Sequence, residues 1–258
     1  MKTTPYRVYL VLITLLIGVP SLFAQEENEE VPEWRRKFEN LDPNMKKKFS
    51  EQFLEANRLF RQKRIFEAIN AINEAEKIHK DLPDLLNLKG ACYVEFRDFE
   101  PAQNLFQKAA EILPDNADIT FNLAEIFFVT EKWPEAETSF TKALDLLPED
   151  KRIQMRRLIE FKLLLIKIRL QKNEEVETLA AKYGFDDDSP FHYYSQSALA
   201  YERDDRKKAE EWLRIARRIF RQGEALTPWQ DTMIEFGYIE SFYGGDLEDA
   251  GVPNAEQP

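Results

Sequence analysis

Few side chains in this chain of 258 residues could do chemistry. There is one cysteine, Cys92, and there are two histidines, His79 and His192. One cysteine excludes an intrachain disulfide framework and any site built from several cysteines, and two distant histidines leave little for a histidine-based metal centre. The motifs of phosphate-binding loops, zinc proteases and serine hydrolases (GxGxxG, GxxxxGK, HExxH and GxSxG) do not occur. The residues predict a protein that is not an enzyme and that holds no cofactor and no metal.

Each reactive residue also has a structural interpretation. His79 is expected near the end of a helix, where a positive charge is favourable, and His192 is expected to pack among neighbouring aromatic residues. Cys92 is expected to be a small buried apolar residue. The three carboxylates of 186–188 could hold a divalent cation, but the alternating spacing and mid-loop glycine of a calcium loop are missing. A negatively charged helix N-terminus is the favoured interpretation of that run.

Residues 1–24 have the layout of a secretory signal peptide. Lys2 and Arg7 form a short basic region, an apolar run over 8–19 follows, and Ala24 ends the segment before an acidic stretch. The sequence therefore predicts export, to the periplasm or the extracellular space, after cleavage near Ala24.

An uncleaved membrane anchor is the alternative for this leader. Leu22, which is not a small residue, lies two positions before Ala24 and weakens the cleavage site. The apolar run is shorter than the ~20 residues that span a bilayer comfortably. No cysteine follows it, so a lipid anchor on cysteine is not supported.

Acidic segments flank the central part of the chain. Residues 25–42 begin with several glutamates and are predicted to be an acidic linker, and 246–258 is predicted to be a disordered acidic tail. Trp34 to Lys37 interrupts the linker with three basic residues. This run is either a basic patch or, as we favour, the start of a helix anchored by Trp34.

An internal repeat is the strongest pattern in the sequence. Seven positions match in type at a constant offset of 34 residues: Gly90 with Ala124, Tyr93 with Phe127, Phe99 with Trp133, Ala102 with Ala136, Phe106 with Phe140, Ala109 with Ala143 and Pro114 with Pro148.

The spacing within one repeat predicts two packed helices. Gly90 and Tyr93 lie at i and i+3 on one helical face, and the small residue allows a second helix to approach closely. Ala102, Phe106 and Ala109 lie at i, i+4 and i+7, which is one stripe of that second helix. A closing proline stops it. Each unit is therefore a helix–turn–helix pair.

These residues resemble the tetratricopeptide repeat (TPR) family. The signature of small residue, aromatic, alanine, aromatic, alanine and proline occurs twice, at Gly90, Tyr93, Ala102, Phe106, Ala109 and Pro114 and at Ala124, Phe127, Ala136, Phe140, Ala143 and Pro148. Lys89 departs from the family, which usually places an apolar residue there.

The repeat extends in both directions with decreasing regularity. A first helix is predicted to start near Asp42–Pro43, a long first helix covers 151–171, and Ser189–Pro190 restarts a helix. A last helix over 227–243 is predicted to cap the array. The expected fold is all-α: an α-solenoid of about five TPR-like repeats plus a C-terminal capping helix over 43–245.

The resemblance implies that first helices line a concave groove that binds a peptide or a partner helix. The residues left for this groove once the expected core positions are removed are Phe53, Asn57, Phe60, Asn87, Val94, Glu95, Phe121, Asn122, Glu125, Phe128, Tyr194 and Tyr201. Asparagine amides can pair with the main chain of an extended ligand, and the aromatic residues can bury apolar anchors. The alternative is that some of these residues belong to the core between repeats. In the family, some members clamp a C-terminal carboxylate with lysine and asparagine, but here Asp118 occupies one expected lysine position.

Charge is distributed unevenly, although the chain as a whole carries −11. Residues 81–150 hold 5 basic and 15 acidic residues, whereas 151–221 hold 17 basic and 12 acidic. The basic side chains crowd one predicted helix and are Arg206, Lys207, Lys208, Arg214, Arg217, Arg218 and Arg221. This helix is either a solvated face paired with Glu210 and Glu211 or a docking patch for an acidic partner, an anionic membrane surface or polyanions.

The sequence predicts an exported, non-enzymatic scaffold that binds a peptide or partner helix of another protein. The alternative is a structural or oligomerising adaptor of the cell envelope, which docks through the basic helix at 203–221 and whose partner could be a second copy. The net charge of −11 argues against nucleic acid as a partner. A membrane is a partner only if the leader is retained as an anchor.

Overall fold

A computed structural model describes residues 31–148, 152–220 and 223–240. The predicted leader, the whole predicted acidic tail at 246–258, and Arg221 lie outside the described residues. Within the described ranges the chain is all-α and contains no strand. The helices are α1 (Glu33–Glu39), α2 (Pro43–Arg61), α3 (Ile65–Glu76), α4 (Pro83–Glu95), α5 (Phe99–Ile112), α6 (Ala117–Val129), α7 (Trp133–Leu146), α8 (Ile153–Arg169), α9 (Asn173–Ala180), α10 (Phe191–Glu202), α11 (Arg206–Ile219) and α12 (Gly223–Phe236).

The described residues fall into two compact units that divide after Pro148. The N-terminal unit contains α1–α7, and the C-terminal unit contains α8–α12. In the N-terminal unit, α2 packs on α3, α4 on α5 and α6 on α7. In the C-terminal unit, α8 packs on α9 and α10 on α11. The all-α repeat fold predicted from the 34-residue spacing is thereby confirmed.

The same turn joins the two helices of every pair. One residue in each turn has a positive φ between 58° and 59°, and none of the five is glycine: Lys63, Arg97, Glu131, Gln171 and Asp204. The next backbone N–H donates to a carbonyl five residues back in every case, as Lys132 does to Phe127 at 2.8 Å. This bond satisfies a carbonyl at the end of the first helix. The regular turn fixes how each second helix folds back on its partner.

The ends of the helices follow the local sequence. Asp42 accepts a hydrogen bond from the Asn44 backbone N–H at 2.8 Å, so α2 starts at Pro43 as predicted. The helices α5 and α7 end two residues before Pro114 and Pro148, again as predicted. Among the described helices, none combines the length and the apolarity that crossing a membrane requires.

The small and aromatic positions of the repeat form the contacts between paired helices. The residues of the second-helix stripe in both clear repeats are completely buried: Ala102, Phe106, Ala109, Ala136, Phe140 and Ala143. Alanine at these places lets the helix backbones approach, and the phenylalanine fills the remaining space. The packing inferred from the spacing is therefore present.

The favoured interpretation of Trp34 to Lys37 as a helix start is confirmed, because α1 begins within the predicted acidic linker and packs Trp34 and Phe38 against the apolar cluster of the first helix pair. One predicted boundary is wrong. The last helix starts at Gly223 and not at Thr227, so that Pro228 lies inside it. Proline removes only one backbone hydrogen bond, and burial of Leu226 holds the preceding turn in place.

Candidate protein-binding surfaces

In the C-terminal unit, α12 lies against the first helices of both repeat pairs. The Trp229 ring of α12 packs between Phe161 of α8 and Tyr194 of α10, with ring-centre distances of 5.4 and 5.6 Å. Phe161 and Tyr194 also touch each other edge to face at 5.9 Å. All three rings are buried. This aromatic cluster joins α12 to α8 and α10 at once.

A second set of contacts holds the C-terminal end of α12. The Arg169 guanidinium on α8 donates to the carbonyl of Phe236 at 2.9 Å and lies 4.0 Å from the centre of the Phe236 ring. Tyr238, just after α12, stacks on Tyr201 of α10 at 5.1 Å, and its hydroxyl donates to Glu202 at 2.7 Å. Arg169 therefore binds the negative end of the α12 dipole and fixes where this helix ends.

A buried ion pair lies between these two sets of contacts. Lys162 Nζ on α8 is 3.2 Å from Glu235 Oε2 on α12, and the two side chains are only 3% and 5% exposed. Each ion has lost most of its hydration, so either one without the other would be strongly unfavourable. The pair therefore selects an acidic residue at this place on the helix that covers α8.

Asp231 adds a second carboxylate to the same face of α12. Burial, with a smaller contribution from the negative charge of Glu235, raises the pKa of Asp231 to about 7, although Lys162 acts in the opposite direction. One carboxylate oxygen, Oδ2, is buried and accepts no hydrogen bond in the protein. Asp231 is thus a poorly satisfied group in an otherwise complementary contact.

We call the surface beneath α12 the α12 seat. It is defined by Phe161, Lys162, Arg169, Tyr194, Tyr201 and Glu202. Both residues that the sequence assigns to the groove of the fifth repeat, Tyr194 and Tyr201, belong to it. They contact α12 in this structure, so Tyr194, which is almost completely buried, is not an open binding position.

In the N-terminal unit, the predicted groove residues lie mostly in the interior. Only Glu95 among them is partly exposed. The others are all buried and are Phe53, Asn57, Phe60, Asn87, Val94, Phe121, Asn122, Glu125 and Phe128. For these nine the structure favours the core interpretation over direct contact with a ligand.

The aromatic members of this set pack on their own chain. Phe121 and Phe128 of α6 both contact the ring of Phe140 on α7, at 5.8 and 6.2 Å, and Phe128 also contacts Trp133 at 5.5 Å. They lie seven residues apart, two turns of one helix, and so act as a stripe toward α7. The expectation that they anchor a ligand is corrected accordingly.

The asparagine amides also bind within the chain. Asn122 Nδ2 on α6 donates to Asn87 Oδ1 on α4 at 2.9 Å, and Asn57 Nδ2 donates to the Phe53 carbonyl at 2.9 Å. The amide groups that the sequence predicts for contact with a ligand's main chain therefore donate to groups within the protein instead. Their acceptors Asn57 Oδ1 and Asn122 Oδ1 are buried without a hydrogen bond in the protein. The amide pair links two neighbouring repeats.

Acidic side chains lie beside this amide pair. Burial, together with the nearby charge of Asp118, raises the pKa of Asp84 above its usual value. Glu95 at the other end of α4 pairs with Lys63 at 2.8 Å. The partly exposed acidic residues of α4 and α6 are thus Asp84, Glu95 and Asp118. They keep the acidic character predicted for these repeats.

The basic helix α11 forms surface ion pairs and also carries a row of exposed basic residues. Arg206 pairs with Glu210 at 3.1 Å and Lys208 with Glu211 at 2.9 Å, as the solvated-face interpretation predicts. Burial lowers the pKa of Arg217. Five described members of the predicted patch are exposed, and three of them, Lys207, Arg214 and Arg218, follow one another at seven and four residues along one face.

One exposed aromatic pair was not identified from the sequence. Phe66 of α3 and Phe96, which follows α4, have ring centres 4.8 Å apart and are 72% and 40% exposed. Large exposed apolar residues in contact often mark an interaction surface. The sequence feature that could have revealed this pair is Phe66 itself, because it occupies a helix position whose equivalent one repeat later, Glu100, is exposed to water.

The cysteine and the two histidines are packed against other parts of the protein. Cys92 is completely buried, which raises the pKa of its thiol to about 12, as expected for a small apolar core residue. His192 packs edge to face on Tyr193 and Trp212, which confirms aromatic packing. Burial lowers the pKa of His79, so the prediction of a favourable positive charge there is wrong. Desolvation next to Phe38 outweighs the helix dipole.

The three carboxylates at 186–188 serve the loop before α10. Asp187 accepts from the Ser189 backbone N–H at 3.0 Å and from Arg157 at 3.2 Å. Ser189 Oγ in turn accepts from the Phe191 backbone N–H at 3.3 Å, so this segment starts α10 as predicted. Within the described ranges, no group of three or more metal-ligating side chains is close enough to hold an ion.

Comparison with known proteins supports the repeat assignment. Residues 93–158 match the family profile described as tetratricopeptide repeat. A search of curated protein sequences found no match.

Two solved structures share the fold at low sequence identity. One, described as the functional characterization of Pseudomonas aeruginosa pilF, has a TM-score of 0.52 and 11% identity and covers 76% of this chain and 94% of that one. The other is YrrB, described as a TPR protein with an unusual peptide-binding site, with a TM-score of 0.51, 18% identity and coverage of 68% of this chain and 88% of that one. The described residues thus form an all-α repeat fold like that of TPR solenoid proteins, and residues 93–158 match a tetratricopeptide repeat. TPR proteins generally mediate protein–protein interaction.

Proposed function

We propose that this chain is an exported, non-enzymatic scaffold whose C-terminal unit binds a helix of another protein on the face formed by α8 and α10. The α12 seat is the observation that carries this proposal. It already holds one helix through an aromatic cluster, a buried ion pair and an arginine at the helix end. A surface with these three features is suited to helix recognition.

The proposal places the site elsewhere than the first helices of the N-terminal unit. The amides and phenylalanines there are used inside the protein, as the bond between Asn87 and Asn122 illustrates. On α4 and α6 the accessible charged residues are mainly acidic, at Asp84, Glu95 and Asp118. Such a surface would attract a basic segment and raise its association rate but would supply few apolar anchors.

Export is part of the proposal and rests on the leader. A basic start, an apolar run over 8–19 and Ala24 before the acidic stretch support it. N-terminal sequencing of the protein from its native source should find Gln25 or a close neighbour as the first residue. Recovery of Met1 or Lys2 would contradict cleavage and would favour a membrane anchor.

Site-specific photo-crosslinking in the native host tests the binding surface. A photoreactive residue at Glu202, at the rim of the α12 seat, should capture a defined segment of one protein, and mass spectrometry should identify that segment as an amphipathic helix. The matched control places the same residue at Lys207 on the exposed face of α11. Capture from Lys207 but not from Glu202 would contradict the proposal.

Capture from Lys207 but not from Glu202 would favour α11, because α11 is the second candidate binding surface. Lys207, Arg214 and Arg218 are exposed on one face of α11, which also carries Glu211. Crosslinks confined to this face would identify the chain as an adaptor that docks through its basic helix.

A further inference from the structure

We propose that α12 is a displaceable internal ligand of the C-terminal unit, and that the partner is an acidic amphipathic helix that copies α12 and replaces it. This inference rests on the proposed function and specifies its ligand. In the free chain the seat is closed by α12, and in the complex it is occupied by the partner's helix.

The contacts of α12 define the pattern that the partner must carry. The buried apolar residues of α12 are Leu226, Trp229, Met233 and Phe236, so they follow one another at three, four and three residues. This spacing forms one narrow apolar stripe along a helix. An aromatic residue at the second position enters the cluster of Phe161 and Tyr194.

Charge defines the remaining specificity. Lys162 is buried and needs a carboxylate, which Glu235 supplies from the position before Phe236. Arg169 needs the free carbonyls of a helix C-terminus and an aromatic face. A helix with a basic residue opposite Lys162 would leave two like charges out of water and would be rejected. The seat thus recognises an acidic helix in one direction and one register.

The α12 helix fits this seat imperfectly, which is why a partner could replace it. Pro228 lies inside the helix and removes one of its backbone hydrogen bonds. Asp231 buries a carboxylate oxygen that has no hydrogen bond in the protein. Glu235, one turn further on, adds a like charge that works against ionised Asp231. A partner helix without these two defects would bind the same surface more favourably.

Charge reversal provides a direct test with a defined probe. The probe is a fluorescently labelled synthetic peptide of residues 223–240, and the receptor is the full mature chain. The unchanged chain should bind it weakly, because its own α12 competes at an effective concentration on the order of millimolar. Glu235→Lys in the chain places a lysine against Lys162, should release α12, and should increase peptide affinity at least tenfold.

Three further proteins make the result specific. Glu177→Lys makes the same charge change at an exposed position of α9 and should leave peptide affinity unchanged. Lys162→Glu combined with Glu235→Lys restores an opposite pair, should close the seat again, and should bind a peptide carrying Glu235→Lys as weakly as the unchanged chain binds the natural peptide. Lys162→Glu alone should reject the natural peptide and bind a peptide carrying Glu235→Lys.

Hydrogen exchange measures the release of α12 independently. In the Glu235→Lys chain, the amides of 226–236 should exchange at least tenfold faster, whereas those of α10 keep their protection. Trp229→Ala is a second opening variant that introduces no charge and should give the same two changes.

Several results would overturn the inference. Equal peptide affinity for the unchanged and Glu235→Lys chains would show that the peptide binds elsewhere, and no binding to a folded Glu235→Lys chain would show that the seat does not accept a copy of α12 in trans. Loss of protection throughout the C-terminal unit in both opening variants would show that α12 is a fixed part of its core. In each case crosslinking from Glu202 could still identify a partner, so failure here is distinguishable from failure of the proposed function.

Discussion

The ring of Phe106 lies so close to Gly90 that a Cβ atom on residue 90 would be only 2.6 Å from its Cε1 atom. Phe106 is completely buried, so the ring has little room to move away. This single contact explains why a small residue and an aromatic residue recur together in the repeat. Residue 124, at the equivalent place one repeat later, is alanine, so the contact between α6 and α7 accommodates a Cβ atom there.

Gly90→Ala should therefore destabilise the protein, although alanine is the better helix former. The steric overlap should cost more than the roughly 1 kcal/mol gained in helix propensity, with a net loss of about 1–2 kcal/mol. Urea unfolding measures it. Gly184→Ala is the matched control, because its Cβ would meet only the carboxylate of Asp186, which is free to turn. A more stable Gly90→Ala protein would contradict the packing.

A charge at the helix contact should be far more damaging than the same charge on the surface. Ala102 of α5 is completely buried against α4, so Ala102→Asp should cost ~3 kcal/mol or more in unfolding free energy. Asn104→Asp, an exposed position on the same helix, should change it by less than about 0.5 kcal/mol. Thermal and denaturant unfolding of both variants give the comparison. A thermally silent Ala102→Asp would show that the repeat was aligned in the wrong register.

Glycine should stabilise the turn between paired helices. Glu131 has a φ of 59°, exposes its side chain, and occupies a place where glycine carries no steric penalty. Relief of that penalty exceeds the added chain entropy of glycine, so Glu131→Gly should gain up to about 1 kcal/mol. Glu111→Gly, inside α5 and also exposed, should lose about 1 kcal/mol and serves as the control. Equal losses in the two variants would contradict the left-handed conformation at residue 131.

The repeat itself could be predicted from sequence because its signal is local. Ala102, Phe106 and Ala109 must share a helical face whatever surrounds them, and Pro114 must end the helix, so type and spacing alone determine the pair. The left-handed conformation at Glu131 could not be predicted, because glycine, the usual marker of a left-handed residue, is absent there.

The binding surface could not be predicted in the same way. Periodicity places Phe121 and Phe128 on one face of α6, but it does not reveal that this face packs on Phe140. The α12 seat depends on contacts between residues far apart in sequence, such as Lys162 and Glu235. A buried lysine and a buried glutamate look like ordinary surface charges until their partner is known, so only the tertiary structure joins them.

The pH dependence of the C-terminal unit should reveal how poorly Asp231 is satisfied. Its pKa rises from 3.8 to about 7 in the folded chain, since burial disfavours the charged carboxylate and Glu235 repels it. The other groups around it are Lys162 of α8, which favours the charge, and Tyr194 of α10. Below about pH 4, Asp231 is protonated in both the folded and unfolded chain and carries no pH-dependent penalty.

As pH rises from about 4 to 7, the unfolded chain releases this proton while the folded chain retains it. The contribution of Asp231 to stability is therefore lost over that range and reaches its lowest value above pH 7. Asp231→Asn keeps the side chain neutral, so its unfolding midpoint should exceed that of the parent clearly at pH 8 and hardly at all at pH 4.5. Glu177→Gln on exposed α9 should show no such divergence. An Asp231→Asn advantage that is equal at both pH values would mean that folding leaves the pKa of Asp231 near its usual value, and would contradict the poor satisfaction of this carboxylate.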